Sequence, residues 1–92
     1  MMITARFHGI LADWVGAPSA VFDLAAGATL ADLMHEIGRR YRRNMPEQLW
    51  DRQTGSFQKQ VRAQGAATIY TDLTTPLKGE AEITFMLMIA GG

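Results

Sequence analysis

The sequence has no cysteine, only three prolines, no net charge and no long hydrophobic run. The lack of cysteine excludes thiol nucleophiles, thiolate metal sites and the disulfide frameworks of small secreted domains. Because nine basic residues balance nine acidic ones, no general attraction to nucleic acid or anionic membranes is expected. The longest apolar run, residues 85–90, is far shorter than the roughly 20 residues that span a bilayer. These absences predict a cytoplasmic protein that binds neither nucleic acid nor membranes.

The composition is that of a foldable chain. Its 92 residues are 48% hydrophobic and 20% charged, which predicts one small globular domain over residues 1–92. Arg6 and His8 interrupt the first apolar segment, so no secretory signal is expected there.

Two strands are predicted near the start. Residues 2–8 alternate between apolar and polar side chains, and residues 21–24 form a second short strand that pairs with the first in antiparallel fashion. Between them, residues 9–18 are predicted to be a connection. Its apolar residues, which fold back onto the core, are Leu11, Trp14 and Val15.

A helix follows. Thr29 is placed to cap its first turn, with the acidic Asp32 three residues later. The helix is expected to run to about Arg43 and to end before Pro46. Its buried stripe has helical spacing and consists of Leu30, Leu33, Met34, Ile37 and Tyr41.

More strands are predicted in the second half of the sequence. Residues 58–63 are interpreted as a third strand, 66–73 as a short strand or an irregular return, and 76–80 as a turn. A regular last strand covers residues 83–90. As the most regular strands, the first and last are expected to lie at the sheet centre as parallel neighbours. The predicted class is α+β, with one main helix on a mixed sheet of four or five strands.

The sequence ends in Gly91-Gly92, directly after the last strand. Without side chains, these residues fit a narrow enzyme channel. Residues 89–92 are predicted to be a flexible tail that carries the carboxylate roughly 13 Å from the domain. The alternative is that two terminal glycines are simply a frayed end.

Three segments resemble a known family: ITARFHGILADWVG (3–16), GATLADL (27–33) and PLKGEAEITFMLMIAGG (76–92). They are similar to the ubiquitin-like sulfur carriers, which have the β-grasp fold. The resemblance implies that an E1-like enzyme uses ATP to adenylate the carboxylate of Gly92. The adenylate is then converted into a thiocarboxylate that donates sulfur, and Gly91 fits the partner's channel.

Within this family the chain is most similar to the small subunit of molybdopterin synthase. That similarity implies a role in molybdenum cofactor biosynthesis with a sulfur-accepting large subunit as partner. The chain itself is expected to have no active site and to bind no cofactor. Three alternatives stay open: a carrier for thiamin or a similar pathway, a protein modifier conjugated through Gly92, and a binding module that does not use its diglycine.

The resemblance also implies a docking face for the partner enzymes. Outward residues of the first and last strands meet the partner in this family, and His8 and Met86 stand at those positions. Arg6, Met88 and Ala90 complete the predicted face. The alternative for Met86 and Met88 is a second small core.

The histidines and arginines suggest structural roles. Neither His8 nor His35 has a second ligand at metal spacing, so surface positions and no metal site are predicted. The arginines within residues 39–43 could meet a phosphate or an acidic partner. The favoured interpretation is a solvated helix end that complements the helix dipole.

Overall fold

The computed structural model describes residues 1–88. Seven strands are present: β1 Met2–Phe7, β2 Ser19–Asp23, β3 Trp50–Asp51, β4 Ser56–Phe57, β5 Val61–Gln64, β6 Ile69–Tyr70 and β7 Glu82–Leu87. Residues 1–88 also form two α-helices, α1 Ile10–Val15 and α2 Leu30–Tyr41, and a 3-10 turn at Arg42–Asn44 directly follows α2. Five strands form one mixed sheet in the order β2-β1-β7-β5-β6, and β3 pairs with β4 in a separate antiparallel hairpin.

The centre of the large sheet is the parallel pair of β1 and β7, as predicted. β2 is antiparallel to β1, with Thr4 opposite Val21, which confirms the predicted pairing of the first two strands. β5 is antiparallel to β7 on the other side, with Ala63 opposite Phe85. The first and last segments of the described chain therefore lie side by side in the middle of the fold.

Helix α2 begins where the sequence predicts. Thr29 and Asp32 form a reciprocal capping box, in which the Thr29 amide donates to Asp32 Oδ2 over 2.8 Å. Two further amides of the first turn, those of Leu30 and Ala31, donate to the carbonyls of Thr75 and Leu73. The segment before β7 is thereby fixed to the helix start.

The apolar side chains that were predicted to form the buried stripe of α2 do face the core, although Tyr41 is only half-buried. The α-helix ends at Tyr41, and the predicted end near Arg43 falls within the 3-10 turn.

The connection between β1 and β2 contains a helix that the sequence interpretation missed. Helix α1 occupies six of these residues and buries Leu11 and Val15. Trp14 was expected to fold onto the core, but it is 37% exposed. Gly16 ends the helix in the left-handed conformation, at φ 94°, where a side chain would be strained.

Residues 46–75 contain four short strands. The hairpin of β3 and β4 brings Trp50 and Phe57 together edge to face, with ring centroids 5.1 Å apart. The strand predicted over residues 58–63 is β5, which begins at Val61. β6 supplies the short strand that was one alternative for residues 66–73.

One hydrophobic core fills the space between the inner face of the sheet and the helices. It contains Ile3, Phe22, Ile37, Ile83 and Phe85, among others, but neither Met86 nor Met88. The second small core is therefore not found in residues 1–88. In the same part of the chain, no helix has the length and apolar character needed to cross a membrane.

Candidate functional site

Strand β7 leads to the C-terminus from the sheet centre. It pairs with β1 on one side and β5 on the other, and its Ile83 and Phe85 are fully buried. Beyond its end, the Met88 amide still donates to the Gln60 carbonyl over 2.6 Å. The chain is thus held by the sheet as far as Met88. The predicted tail over 89–92, including Ala90, Gly91 and Gly92, lies outside the described residues.

The predicted docking residues that the structure describes lie together on or beside the outer face of the sheet. Arg6 stands opposite Thr84, and Met86 is two residues farther along the same side of β7. His8 directly follows β1, is exposed, and donates its amide to the Phe85 carbonyl over 2.9 Å. Met88 is 41% exposed. Arg6 and Met86 thus share the outer face, with His8 and Met88 just beyond the ends of their strands, and a docking role for them stays a prediction.

This outer face combines apolar and charged groups. Its exposed apolar side chains are Met2, Val21 and Ile69, and the exposed Met88 directly follows the end of β7. Arg6 Nε lies 2.7 Å from Glu82 Oε2, and both side chains are about half exposed. None of the elements within residues 1–88 covers this face, since the helices and the core lie on the other one. An uncovered apolar face with polar neighbours is typical of a protein-binding surface.

A side-chain link that the sequence interpretation missed holds the segment just before β7. Glu80 Oε2 accepts the Tyr70 hydroxyl over 3.1 Å, and Glu80 Oε1 accepts the Ala66 amide over 3.3 Å. Gly65 makes this possible, because a Cβ atom there would overlap the Glu80 carboxylate. The only sequence signal was the glycine itself, beside a turn.

Burial raises the pKa of Tyr70 above its usual value, and the hydrogen bond to Glu80 and its negative charge act in the same direction. Tyr70 therefore stays a neutral donor at physiological pH and ties β6 to the chain entering β7.

No metal-binding arrangement is present in residues 1–88, where no three His, Cys, Asp or Glu side chains come together. His8 and His35 are both exposed.

Several solved structures are similar to this arrangement over nearly the whole chain. SAMP1 from Haloferax volcanii superposes with a TM-score of 0.79 at 13% identity and covers 100% of both chains. The small archaeal modifier protein 1 from Methanosarcina acetivorans gives 0.71 at 15% identity, covering 99% of this chain and 96% of that one. A Pyrococcus furiosus protein described as molybdopterin converting factor subunit 1 gives 0.70 at 16%, covering 97% and 99%.

This chain has the β-grasp fold. The resemblance to ubiquitin-like sulfur carriers is thereby confirmed for the fold. No family model and no curated protein sequence matches the chain. At identities this low, the shared β-grasp fold by itself does not determine which activity the chain has.

Proposed function

We propose that the protein is a ubiquitin-like sulfur carrier that is activated at the carboxylate of Gly92. The observation that carries this proposal is the position of β7. A strand held between β1 and β5 at the sheet centre is followed within a few residues by Gly91-Gly92. A rigid domain can thus present a terminus without side chains to the active site of another enzyme.

The proposed chemistry takes place on the partner enzymes. A carboxylate is a poor electrophile, so an E1-like enzyme first joins the Gly92 carboxylate to the α-phosphate of ATP and releases pyrophosphate. Sulfide, HS⁻, then attacks the acyl carbon and displaces AMP, and loss of its proton leaves a thiocarboxylate with no change of oxidation state. The thiocarboxylate is the nucleophile that delivers sulfur to an acceptor on a second partner.

In this proposal the chain contributes no catalytic side chain and binds no cofactor for the reaction. It supplies the terminus and a docking face made of Arg6, His8, Met86, Met88 and Ala90. The similarity to a protein described as molybdopterin converting factor subunit 1 supports molybdopterin synthesis as the pathway, with a larger synthase subunit as the acceptor.

A second candidate is a protein modifier joined through Gly92 to lysines of other proteins. The similarity to two SAMP1 structures favours it. Mass spectrometry of protein from its native host separates the candidates. A terminal oxygen replaced by sulfur supports the carrier, whereas isopeptide remnants of this chain on other proteins support the modifier. A tail that is never modified supports a binding module.

Removal of Gly92 tests the premise common to carrier and modifier. The full chain is expected to support ATP–pyrophosphate exchange by its activating enzyme, and the chain that lacks Gly92 is expected to support none. The matched control is the Gly91→Ala variant, which changes the tail but keeps its full length and its terminal glycine. This variant should retain part of the ATP–pyrophosphate exchange. Equal exchange with and without Gly92 would show that its carboxylate is not the activated group.

A further inference from the structure

A basic cavity lies between α2 and the β3–β4 hairpin. Its volume is about 400 Å³, and its ionisable lining residues are His35, Arg39, Arg42, Arg43 and Arg52. His35 and Arg39 belong to α2, and Arg42 and Arg43 belong to the 3-10 turn. Arg52 comes from the loop between β3 and β4. We call this cavity the basic pocket.

The helix dipole accounts for only part of this set. The negative end of the helix dipole favours cations in the last turn of a helix. Arg39 lies in the last turn of α2, and Arg42 and Arg43 follow it in the 3-10 turn. His35 is in the middle of α2, and Arg52 belongs to a different element. A solvated helix end therefore does not explain why Arg52 joins the others.

The packing of Trp50 explains how Arg52 reaches the helix. A Cβ atom on Gly38 would lie only 2.6 Å from Trp50 Cζ2, so the indole lies directly on the α2 backbone. This contact holds the hairpin against α2 and places Arg52 across from the helix. Gly38 and Gly55 also line the pocket.

The pocket has little negative charge of its own. Among residues 1–88, the salt bridge at this site joins Arg39 to Glu36 over 3.8 Å, and Arg39 is 71% exposed. Such an exposed pair contributes little. The Asp51 carboxylate next to Arg52 instead accepts the amides of Gln53 and Thr54.

We propose that the basic pocket binds a polyphosphate group. Each guanidinium presents a planar set of donors that matches two phosphate oxygens. A concave site of this volume lies within the roughly 300–1,000 Å³ of small-ligand pockets. It suits a compact anion with several charges better than an extended acidic chain. Inorganic pyrophosphate and the phosphates of a nucleotide share this chemistry. The proposal does not depend on activation of Gly92.

An NMR titration of the full chain with pyrophosphate tests this. The amide signals of Gly38 and Gly55 should shift and saturate at one ligand per chain, while those of Gly9 and Gly79 stay in place.

The variant Arg52→Gln should bind pyrophosphate about tenfold or more weakly, which is the usual effect of losing a charge-assisted hydrogen bond. Arg62→Gln, on β5 outside the pocket, makes the same change in net charge and should leave the affinity nearly unchanged. Arg42→Gln provides a second test should Arg52→Gln fail to fold.

Parallel titrations with ATP and adenosine distinguish the sources of phosphate. Tighter binding of ATP than of pyrophosphate would indicate a nucleotide, and the reverse order would indicate free polyphosphate. Either order of affinities supports phosphate binding in the basic pocket, provided that adenosine shifts no amide signal.

Two outcomes would overturn the proposal. One is that Arg52→Gln and Arg62→Gln weaken pyrophosphate binding equally, and the other is that hexaglutamate shifts the Gly38 and Gly55 signals at lower concentrations than pyrophosphate does. The latter would indicate an acidic protein segment as the ligand.

Discussion

At the residue scale, replacing Gly38 with alanine should change the stability of the protein in the direction opposite to the one that helix propensity predicts. Replacing a helix-interior glycine with alanine normally stabilises a protein by up to about 1 kcal/mol. Here the new methyl group would meet the buried indole of Trp50 at 2.6 Å. Overpacking of this kind costs about 1–3 kcal/mol, so Gly38→Ala should lower the free energy of unfolding. Urea denaturation measures the change.

The Trp50→Phe background provides the control for Gly38→Ala. Phenylalanine lacks the outer part of the indole ring, so the cost of the alanine should shrink or change sign. The same cost in both backgrounds would show that Trp50 is not the obstacle.

Tyr70 gives the protein a specific pH dependence. Its folded-state pKa is raised, so its contribution to stability is complete below the unfolded pKa of about 10 and is lost as the pH rises through the folded value. Tyr70→Phe should lower stability by about 1–2 kcal/mol at neutral pH, because Glu80 loses a donor. Above about pH 10 the wild-type protein should therefore lose stability more steeply with rising pH than the variant. Parallel curves in urea denaturation would contradict this account of Tyr70.

At the level of elements, long regular patterns could be predicted and short ones could not. β1, α2 and β7 follow from alternation or helical spacing over six or more residues, whereas the four-residue pattern at 21–24 predicted β2 with its bounds shifted from Ser19–Asp23. α1 was missed because its six residues give less than two helical turns of pattern. β3 and β4 contain two residues each and depend on the packing of Trp50.

The same distinction applies to the two candidate sites. The positions of Arg6 and Met86 on the outer face were predictable because side chains alternate along β1 and β7, whereas the docking role of that face stays a prediction. The basic pocket was not predictable, because Arg52 reaches α2 through a tertiary contact between Trp50 and Gly38. His35, Arg39 and Arg42 do have helical spacing, and this was the available signal.

The start of α2 provides a prediction for one element. Thr29→Ala removes the hydroxyl that accepts the Asp32 amide, and the loss of such a cap costs about 0.5–2 kcal/mol. Thr29→Ser keeps the hydroxyl and should stay close to the wild-type stability. Because the amides of Leu30 and Ala31 have partners in the segment 73–75, the cost should fall in the lower half of this range. Thermal unfolding of both variants measures it, and equal losses would mean that the hydroxyl is not what stabilises the helix start.

On the scale of the whole molecule, the two candidate sites lie on different parts of the fold. The predicted docking face is the mixed apolar and charged outer surface of the sheet, whereas the basic pocket lies between α2 and the β3–β4 hairpin. A protein with zero net charge thus has a locally basic surface that does not include its apolar one. We expect the two sites to be separable by substitution.

Met88 allows the docking face to be tested without disturbing the fold. It is 41% exposed and outside the core, so Met88→Asp should change the free energy of unfolding by no more than about 0.5 kcal/mol. If the activating enzyme docks on this face, a carboxylate there should raise the half-saturating concentration of the carrier about tenfold or more, since apolar contact area is lost and a charge is buried. The matched control is Ile10→Asp, which changes a 52% exposed side chain on α1 and should leave this concentration nearly unaltered. An equal effect of the two substitutions, or none from Met88→Asp, would place the partner on another surface.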